Sequence, residues 1–490
     1  YALVRVDPGK VTSGFAPAAG TVRIEKGAFK DCRNLLTVVV PTSVSSVVEG
    51  AFAGCSALEN LVFQGDRPPA FEGDLFAGEA VQDIFRLYVI NVNHAPNHFG
   101  SLVSLVRFKL VAGGNTFAIE PNTGALYTTY DVATTPVTDV LLRVPRAATG
   151  ELGSVADTQF VADSAAEGCR GLTRVTLPNT VKSIGAAAFK DSGITVFSGA
   201  GELTQIGQSA FEGCTALTQA WFFGGSTNNN VYLPESLRRI GPFAFKGCTS
   251  IKTFQMNGQV EEIPEGMLAN CTSLTQMSGG SKSILHFKRF GKDLFAGCTA
   301  MTTTGASLTA FSSLEEIGEG AYQGCSNLSL AVFPASLQRI GQGAFSGCKS
   351  VEFVVFNGAS PVSVTGSGLP DVWRSGLVPV FVPQDEGGGM GIAQAYETAW
   401  GSDAPPAGVD AVARSYRTAS GNLYAELEVH NSKLIDMVFL STTTQACTNG
   451  LVKVFSHNSY DWKTLYINKG ALKGKAYVKR FLAGPNCVGI

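Results

Sequence analysis

The chain has 490 residues, of which 45% are hydrophobic and only 16% are charged, and its 37 basic residues nearly balance 39 acidic ones. This balance leaves no basic surface of the kind that binds nucleic acid or anionic lipid. No apolar run reaches the length of about 18 residues that a membrane-spanning helix needs. The composition therefore predicts a folded, glycine-rich protein with no nucleic-acid partner and no membrane span in this chain.

A short unit recurs along the chain. One complete copy extends over residues 336–358 and contains an Ile-Gly turn, an Ala-Phe pair, a Gly-Cys pair and an alternating apolar strand. The copy before it reaches the same Gly-Cys pair 23 residues earlier, and Cys32 and Cys55 are also 23 residues apart. A fixed period of this length is typical of a solenoid, in which each repeat forms one coil.

Each copy contains a strand whose positions 1, 4 and 6 are apolar; in one copy these are Leu35, Val38 and Val40. Parallel stacking would bury these side chains, and the Ala-Phe pair would fill the opposite wall of each coil. Position 5 is then expected to face solvent. Coil by coil, position 5 holds Val39, Val62, Thr176, Trp221, Gln255, Ser278, Val332 and Val355.

Nine of the eleven cysteines occupy one position of the repeat, and no Cys-x-x-Cys pair occurs. Because zinc sites need clustered ligands, we expect no metal and no other cofactor, and we interpret the repeat cysteines as small buried apolar side chains. Cys447 and Cys487 lie outside the repeats in a region of short β-rich runs. We predict a disulfide bond between these two and free thiols in the repeats.

Motifs for catalysis are absent from the sequence: there is no nucleophile elbow and no phosphate-binding loop. His94 and His98 are four residues apart but separated by Pro96, which disfavours a helical pair of metal ligands. A Ser-His-Asp arrangement converges only in space and stays open at this point. The sequence predicts a protein that is not an enzyme.

Residues 233–248 read Leu-Pro-Glu-Ser-Leu-Arg-Arg-Ile-Gly-Pro-Phe-Ala-Phe-Lys-Gly-Cys. This unit resembles the repeat of the BspA-type leucine-rich repeat family almost residue for residue. Residues 117–145 resemble the Tyr-containing hairpin insert of that family, and residues 380–400 its array-ending unit. The resemblance covers about residues 21–400 and departs at Ser192, where Cys is expected, and at Ala165-Ala166, where the aromatic residue is missing.

The predicted fold class is α/β to mainly β: a leucine-rich repeat parallel solenoid in two consecutive arrays, followed by a small C-terminal antiparallel β domain. Residues 1–110 would form the first array with an N-terminal cap and an array-ending unit. Residues 111–402 would form the second array with its hairpin insert, and residues 403–490 the C-terminal domain.

The resemblance implies a secreted or cell-surface binding protein, adhesin-like, that recognises a host protein, matrix or a neighbouring cell. The N-terminus, which begins at Tyr1 without a signal-peptide pattern, is expected to be a mature or trimmed end. A macromolecular ligand, either a protein or another cell-surface component, would bind the solenoid face. The candidate binding residues there are Trp221, Phe223, Gln255, Phe353 and Val355.

Two alternatives remain open. Trp221 could instead pack beneath the Asn-rich insertion at residues 226–230. The protein could also have a structural or assembly role, in which the C-terminal β domain anchors or polymerises and the solenoid is a spacer.

Overall fold

The computed structural model describes residues 1–65, 69–77, 86–89, 107–110, 117–120, 122–132, 135–222, 230–256, 260, 262–279, 287–302, 313–328, 330–351, 353–356, 358–366, 380–383, 395, 411–417, 423–429, 434–440, 451–454 and 480–483. By compactness the chain divides into two units, Tyr1–Asn228 and Asn229–Ile490. These units do not coincide with the domains 1–110, 111–402 and 403–490, whose boundaries stay a prediction.

Unit 1 is built from short β-strands. They are β1 (Ala2–Leu3), β2 (Gly14–Phe15), β3 (Arg23–Ile24), β4 (Thr37–Val40), β5 (Ser46–Val48), β6 (Asn60–Phe63), β7 (Ala70–Glu72), β8 (Arg86–Val89), β9 (Arg107–Leu110), β10 (Phe117–Glu120), β11 (Ala125–Val132), β12 (Thr135–Arg143), β13 (Thr149–Leu152), β14 (Thr158–Val161), β15 (Gly171–Thr176), β16 (Ser183–Ile184), β17 (Val196–Ser198), β18 (Gln205–Ile206) and β19 (Gln219–Trp221).

In unit 2, all the secondary-structure elements with described bounds are also β-strands. They are β20 (Asn230–Tyr232), β21 (Arg239–Ile240), β22 (Thr253–Met256), β23 (Glu262–Ile263), β24 (Gln276–Gly279), β25 (Arg289–Phe290), β26 (Glu316–Ile317), β27 (Leu330–Phe333), β28 (Arg339–Ile340), β29 (Phe353–Phe356), β30 (Ser363–Val364), β31 (Val380–Pro383), β32 (Ala411–Arg417), β33 (Leu423–Val429), β34 (Leu434–Leu440), β35 (Leu451–Val454) and β36 (Arg480–Ala483).

Most coils contribute one strand to each of two parallel sheets. We call the first the long-strand sheet: β2-β4-β6-β8-β9 and β13-β15-β17-β19 in unit 1, and β20-β22-β24 and β27-β29-β31 in unit 2. We call the second the short-strand sheet: β1-β3-β5-β7 and β14-β16-β18 in unit 1, and β23-β25-β26-β28-β30 in unit 2.

The strand register follows the 23-residue repeat, since Thr37 pairs with Asn60 and Val38 pairs with Leu61. The prediction of a parallel solenoid is confirmed, and the described elements place the protein at the mainly β end of the predicted fold class.

Two regions depart from the parallel coils. The predicted hairpin is formed by β10 and β11, which pair antiparallel, and β11 pairs antiparallel with β12 in turn. Near the C-terminus β32, β33 and β34 pair antiparallel, whereas β31 with β32, and β35 with β36, pair in parallel. A separate antiparallel β domain at residues 403–490 therefore stays a prediction.

The inward positions of the repeat form the core. Leu35, Val38 and Val40 are at most 1% exposed, as the alternation of the strand predicts. The aromatic residues of the Ala-Phe pairs stack on the opposite wall: the rings of Phe29 and Phe52 lie 4.9 Å apart and nearly parallel. Apolar burial on both walls is the main stabilising contribution to such a coil.

The third side of the coil is a stack of turns, held together by backbone hydrogen bonds. The Phe29 N–H donates to the Ala51 carbonyl at 2.8 Å. In several later coils the glycine of the Ile-Gly pair allows a still closer approach: a Cβ on Gly341 would lie 2.5 Å from the Glu319 backbone nitrogen. At this pair of coils the turns can therefore approach so closely because residue 341 lacks a side chain.

The nine repeat cysteines are buried and free. Several of their thiols donate to the carbonyl of the aromatic residue in the preceding coil: Cys55 Sγ donates to the Phe29 carbonyl at 3.0 Å and Cys348 Sγ to the Tyr322 carbonyl at 3.1 Å. In another coil Cys298 Sγ donates to the Leu268 carbonyl at 3.1 Å. Burial raises the pKa of the Cys348 thiol to about 12, so this thiol stays protonated and can donate. Ser192, where the repeat expects Cys, places its hydroxyl 3.3 Å from Cys214 Sγ.

We expect iodoacetamide to leave the repeat thiols of the folded protein unmodified at neutral pH, because they are neutral and shielded from solvent. Cys447 and Cys487 lie outside the described residues, and their disulfide bond stays a prediction. Its loop of about 40 residues would contribute roughly 3–4 kcal/mol in the chain-entropy model. Mass mapping before and after reduction and unfolding checks both expectations. Alkylated Cys447 in the native protein would contradict the disulfide, and alkylated Cys348 would contradict the buried array thiols.

Candidate binding surface

The long-strand sheet of the first coils is covered rather than exposed. Val39 and Val62, which the pattern places at the solvent-facing position 5, are 2% and 0% exposed. They form one apolar cluster with Tyr88, Phe117, Leu126 and Leu142. The prediction that position 5 faces solvent is wrong for these coils, because the hairpin β10–β12 packs on the outer surface of their sheet.

Hydrogen bonds fix the hairpin in this position. The Thr37 hydroxyl donates to the Gly124 carbonyl at 2.7 Å, and Asn60 Nδ2 donates to the same hydroxyl at 3.0 Å. Gln64 Nε2 donates to the Phe117 carbonyl at 3.0 Å. The hairpin is therefore held on the sheet by defined hydrogen bonds as well as by apolar contact.

Glu59 ties the first coils to the segment that begins the next ones. Its side chain belongs to a residue that is only 1% exposed. The carboxylate accepts hydrogen bonds from the backbone N–H groups of Arg146, at 2.7 Å, and Ala147, at 2.9 Å. Because a buried carboxylate is tolerated only where donors surround it, these two bonds hold residues 59 and 146–147 together.

Trp221 lies at the end of β19 and is half-buried. Its indole Nε1 is buried and has no hydrogen-bond partner in the part of the chain that the structure describes. The backbone of Trp221 pairs in register with Ser198, which pairs with Thr176, and the two hydroxyls lie 3.2 Å apart. This column thus presents an indole beside two hydroxyls. Phe223 lies outside the described residues, as does most of the Asn-rich insertion.

Gln255 lies in β22 and is half-buried. The register places it between Tyr232 of β20 and Ser278 of β24. Phe353 and Val355 share strand β29, but their side chains lie outside the described residues. Sequence reasoning missed Tyr232, since the insertion at residues 223–229 shifts β20 out of the repeat period. Extending the strand columns to β20 would have found it.

The short-strand sheet of unit 2 carries charged side chains that pair with one another. Glu262, Arg289, Glu316 and Arg339 form an in-register column. The Glu316 carboxylate lies 3.3 Å from Arg289 and 2.6 Å from Arg339, and the hydrogen bond from Arg339 lowers its pKa. Further ion pairs join Lys288 to Glu315 at 2.9 Å and Lys292 to Glu319 at 3.3 Å. A groove of about 340 Å³ runs over this surface.

Across the described ranges, no group of three or more His, Cys, Asp or Glu side chains is placed to hold a metal ion. Within the same residues no helix is long and apolar enough to cross a membrane. The chemistry that the described surface offers is therefore hydrogen bonding, aromatic contact and paired charge.

Several solved leucine-rich repeat structures are similar to this chain at low identity. A leucine rich cell surface protein from Faecalibacterium prausnitzii is 18% identical with a TM-score of 0.32, over 74% of this chain and 90% of that one. A leucine-rich repeat protein from Bacteroides ovatus is 18% identical with a TM-score of 0.33, over 72% and 88%. The pneumococcal vaccine antigen PcpA is 12% identical with a TM-score of 0.32, over 82% and 90%. These scores are too low to support an inference about function.

No curated protein sequence matches the chain. The family model of the BspA type leucine rich repeat region does match, in six copies over residues 16–82, 156–228 and 219–352. These segments make up more than half of the chain, and they include residues 233–248, which carry the resemblance seen in the sequence. The chain therefore belongs to the BspA type leucine rich repeat family.

Proposed function

We propose that the protein is a non-enzymatic binding protein, secreted or displayed on the cell surface, that recognises a protein or another cell-surface component through its long-strand sheet. The observation that carries the proposal is that the outer positions of these strands differ between groups of coils. In the first coils its outer positions are apolar and covered, as at Val39 and Val62. In later coils they are half-exposed: the Gln255 side chain forms no hydrogen bond with any described residue, and the Trp221 side chain is half-buried, with its indole Nε1 turned inward and unpartnered among the described residues.

The localisation rests on family membership. The resemblance to BspA-type proteins implies a secreted or surface-displayed protein, and the family model matches the chain in six copies. We propose an adhesin-like role in contacting host protein, matrix or neighbouring cells on the same ground. Fold alone does not determine function, so the role must be tested on the site.

A structural role is the alternative, with residues 403–490 anchoring or polymerising the protein. Sedimentation at increasing protein concentration separates the two functions. Concentration-dependent polymers without binding to matrix proteins or cells would favour the structural role.

We expect Trp221→Ala to weaken binding to a partner from a panel of purified matrix proteins by at least about 1–2 kcal/mol, as loss of an aromatic hot spot does. We propose that most of the side chain lies outside the core, so the free energy of unfolding should barely change. Surface plasmon resonance and thermal melting measure the two quantities. Phe160→Ala is the matched control, since Phe160 is 39% exposed on the short-strand sheet of the same unit and should leave affinity unchanged.

The opposite pattern, with lost stability and intact binding, would make Trp221 a core residue under the Asn-rich insertion. The partner site would then have to be sought in the inserted loops or in residues 410–490.

A further inference from the structure

Within unit 2, the short-strand sheet and the strands β20, β22 and β24 of the long-strand sheet present different chemistry to solvent. On the short-strand sheet the outer side chains are charged and neutralise one another, as Glu316 does between Arg289 and Arg339. On the strands β20, β22 and β24 of the long-strand sheet, the outer side chains carry no charge. They form two in-register columns, Asn230-Thr253-Gln276 and Tyr232-Gln255-Ser278. We call these six residues the amide surface.

Part of the amide surface is already paired. Asn230 Nδ2 donates to the Tyr232 hydroxyl at 2.9 Å, and the Thr253 hydroxyl donates to Asn230 Oδ1. This internal pairing orients the phenol ring and leaves its hydroxyl engaged. One end of the surface is thus preorganised, which reduces the entropy that a ligand loses on binding there.

The side chains at the other end of the amide surface have no hydrogen-bond partner among the residues that the structure describes. All three of its side chains, Gln255, Gln276 and Ser278, are half-buried and form no hydrogen bond with any residue that the structure describes. Each amide has two donors and an acceptor, and a hydroxyl can do both. Neighbouring strands lie about 4.8 Å apart, so these groups follow one another at short, regular intervals.

We propose that the amide surface binds a neutral, hydroxyl-rich glycan. Sugar hydroxyls both donate and accept, so they match unpaired amides, and a sugar ring can lie against the Tyr232 ring. A sulfated or phosphorylated ligand would find no cation among the six side chains. A protein partner usually needs an apolar or aromatic centre, and this surface has a single aromatic residue. The inference rests on the proposed function and names the ligand class of part of the same sheet.

Isothermal titration calorimetry with the full chain tests the inference. The probes are uncharged oligosaccharides of glucose, galactose, mannose and N-acetylhexosamine, with a heparin fragment as the charged comparison. We expect at least one neutral probe to bind, with an affinity that changes little between about 0.05 and 0.5 M salt, and the heparin fragment not to bind.

The double variant Gln255→Glu with Gln276→Glu keeps the side-chain shapes but removes donors. It should weaken glycan binding at least about tenfold. Glu315→Gln is the control: it exchanges the same two side-chain types in the opposite direction, at the residue just before β26 in the same unit. Affinity should not change. Thermal melting confirms that each variant is folded.

Failure of every neutral probe to bind overturns the inference, and so does glycan binding that the double variant leaves intact. Matrix-protein binding that persists after enzymatic removal of the partner's glycans, but is lost in the double variant, assigns the amide surface to a protein instead. If the glycans fail while Trp221→Ala still weakens matrix binding, the proposed function stands without the glycan. If neither the glycan nor the matrix panel binds, both proposals fall.

Discussion

Phe345→Ala should lower the free energy of unfolding by about 3–5 kcal/mol, as large aromatic truncations in rigid cores do. Phe345 is fully buried, and its ring stacks on that of Tyr322 at 5.0 Å and meets that of Phe333 edge-on at 5.5 Å. The coil wall cannot collapse into the space, because each turn is hydrogen-bonded to the next one. Chemical denaturation measures the loss.

The damage should be greatest in adjacent coils, since contacts in a solenoid are between nearest neighbours. Faster amide hydrogen exchange around Tyr322 would report this. Phe345→Leu retains much of the volume and should cost clearly less, and Lys349→Ala, at an exposed position of the same coil, should cost almost nothing. A melting midpoint that Phe345→Ala leaves unchanged would refute the inward assignment of the aromatic residues.

Glu59→Ala should lower the free energy of unfolding by about 2–3 kcal/mol, because it removes a charged acceptor from two backbone N–H groups and leaves a void. The two lost bonds are those from Arg146 and Ala147. Glu59→Gln keeps the size and one carbonyl oxygen, so its loss should be smaller. Urea denaturation of the three proteins gives the ranking.

Glu49→Ala is the matched control in the same unit. The Glu49 side chain is 56% exposed and lies 3.9 Å from Lys26, a contact that should contribute little to stability. Equal losses for Glu49→Ala and Glu59→Ala would mean that the buried carboxylate does not hold residues 146–147.

The core of the coils could be predicted from the sequence because every rule needed for it is local. The spacing within one repeat selects the inward side chains, and the period sets the strand register. Phe29 and Phe52 are therefore found at equivalent places, and their rings stack. Ser192, which replaces the expected Cys, leaves the local structure of the repeat unchanged, since its hydroxyl takes the place of the thiol and contacts Cys214.

The outer surface could not be predicted in the same way, because what covers it comes from elsewhere in the chain. Val39 and Val62 have the periodicity of solvent-facing residues, and only their apolar character indicated that something lies over them. The covering hairpin begins at Phe117, far outside the repeat period, so no pattern within the coils reveals it.

The proposed binding site could be predicted only in part, for a similar reason. The columns that carry Trp221 and Gln255 follow from the repeat, and both side chains lie at half-exposed positions. The insertion before β20 interrupts the repeat period, so the period alone does not predict the position of Tyr232 or the amide surface. Which hydrogen-bonding groups remain unpaired depends on rotamers and cross-strand neighbours, which a one-dimensional pattern does not contain.

The column of buried thiols bears on the conditions in which these coils can form. A fold held by disulfides depends on the redox potential of its compartment. The nine repeat cysteines are free, and thiols such as those of Cys55 and Cys348 act as hydrogen-bond donors to backbone carbonyls. The coils gain their stability from packing and from these bonds, so they need no oxidant. The same array can fold in reducing surroundings and persist in oxidising ones without any change in its covalent structure.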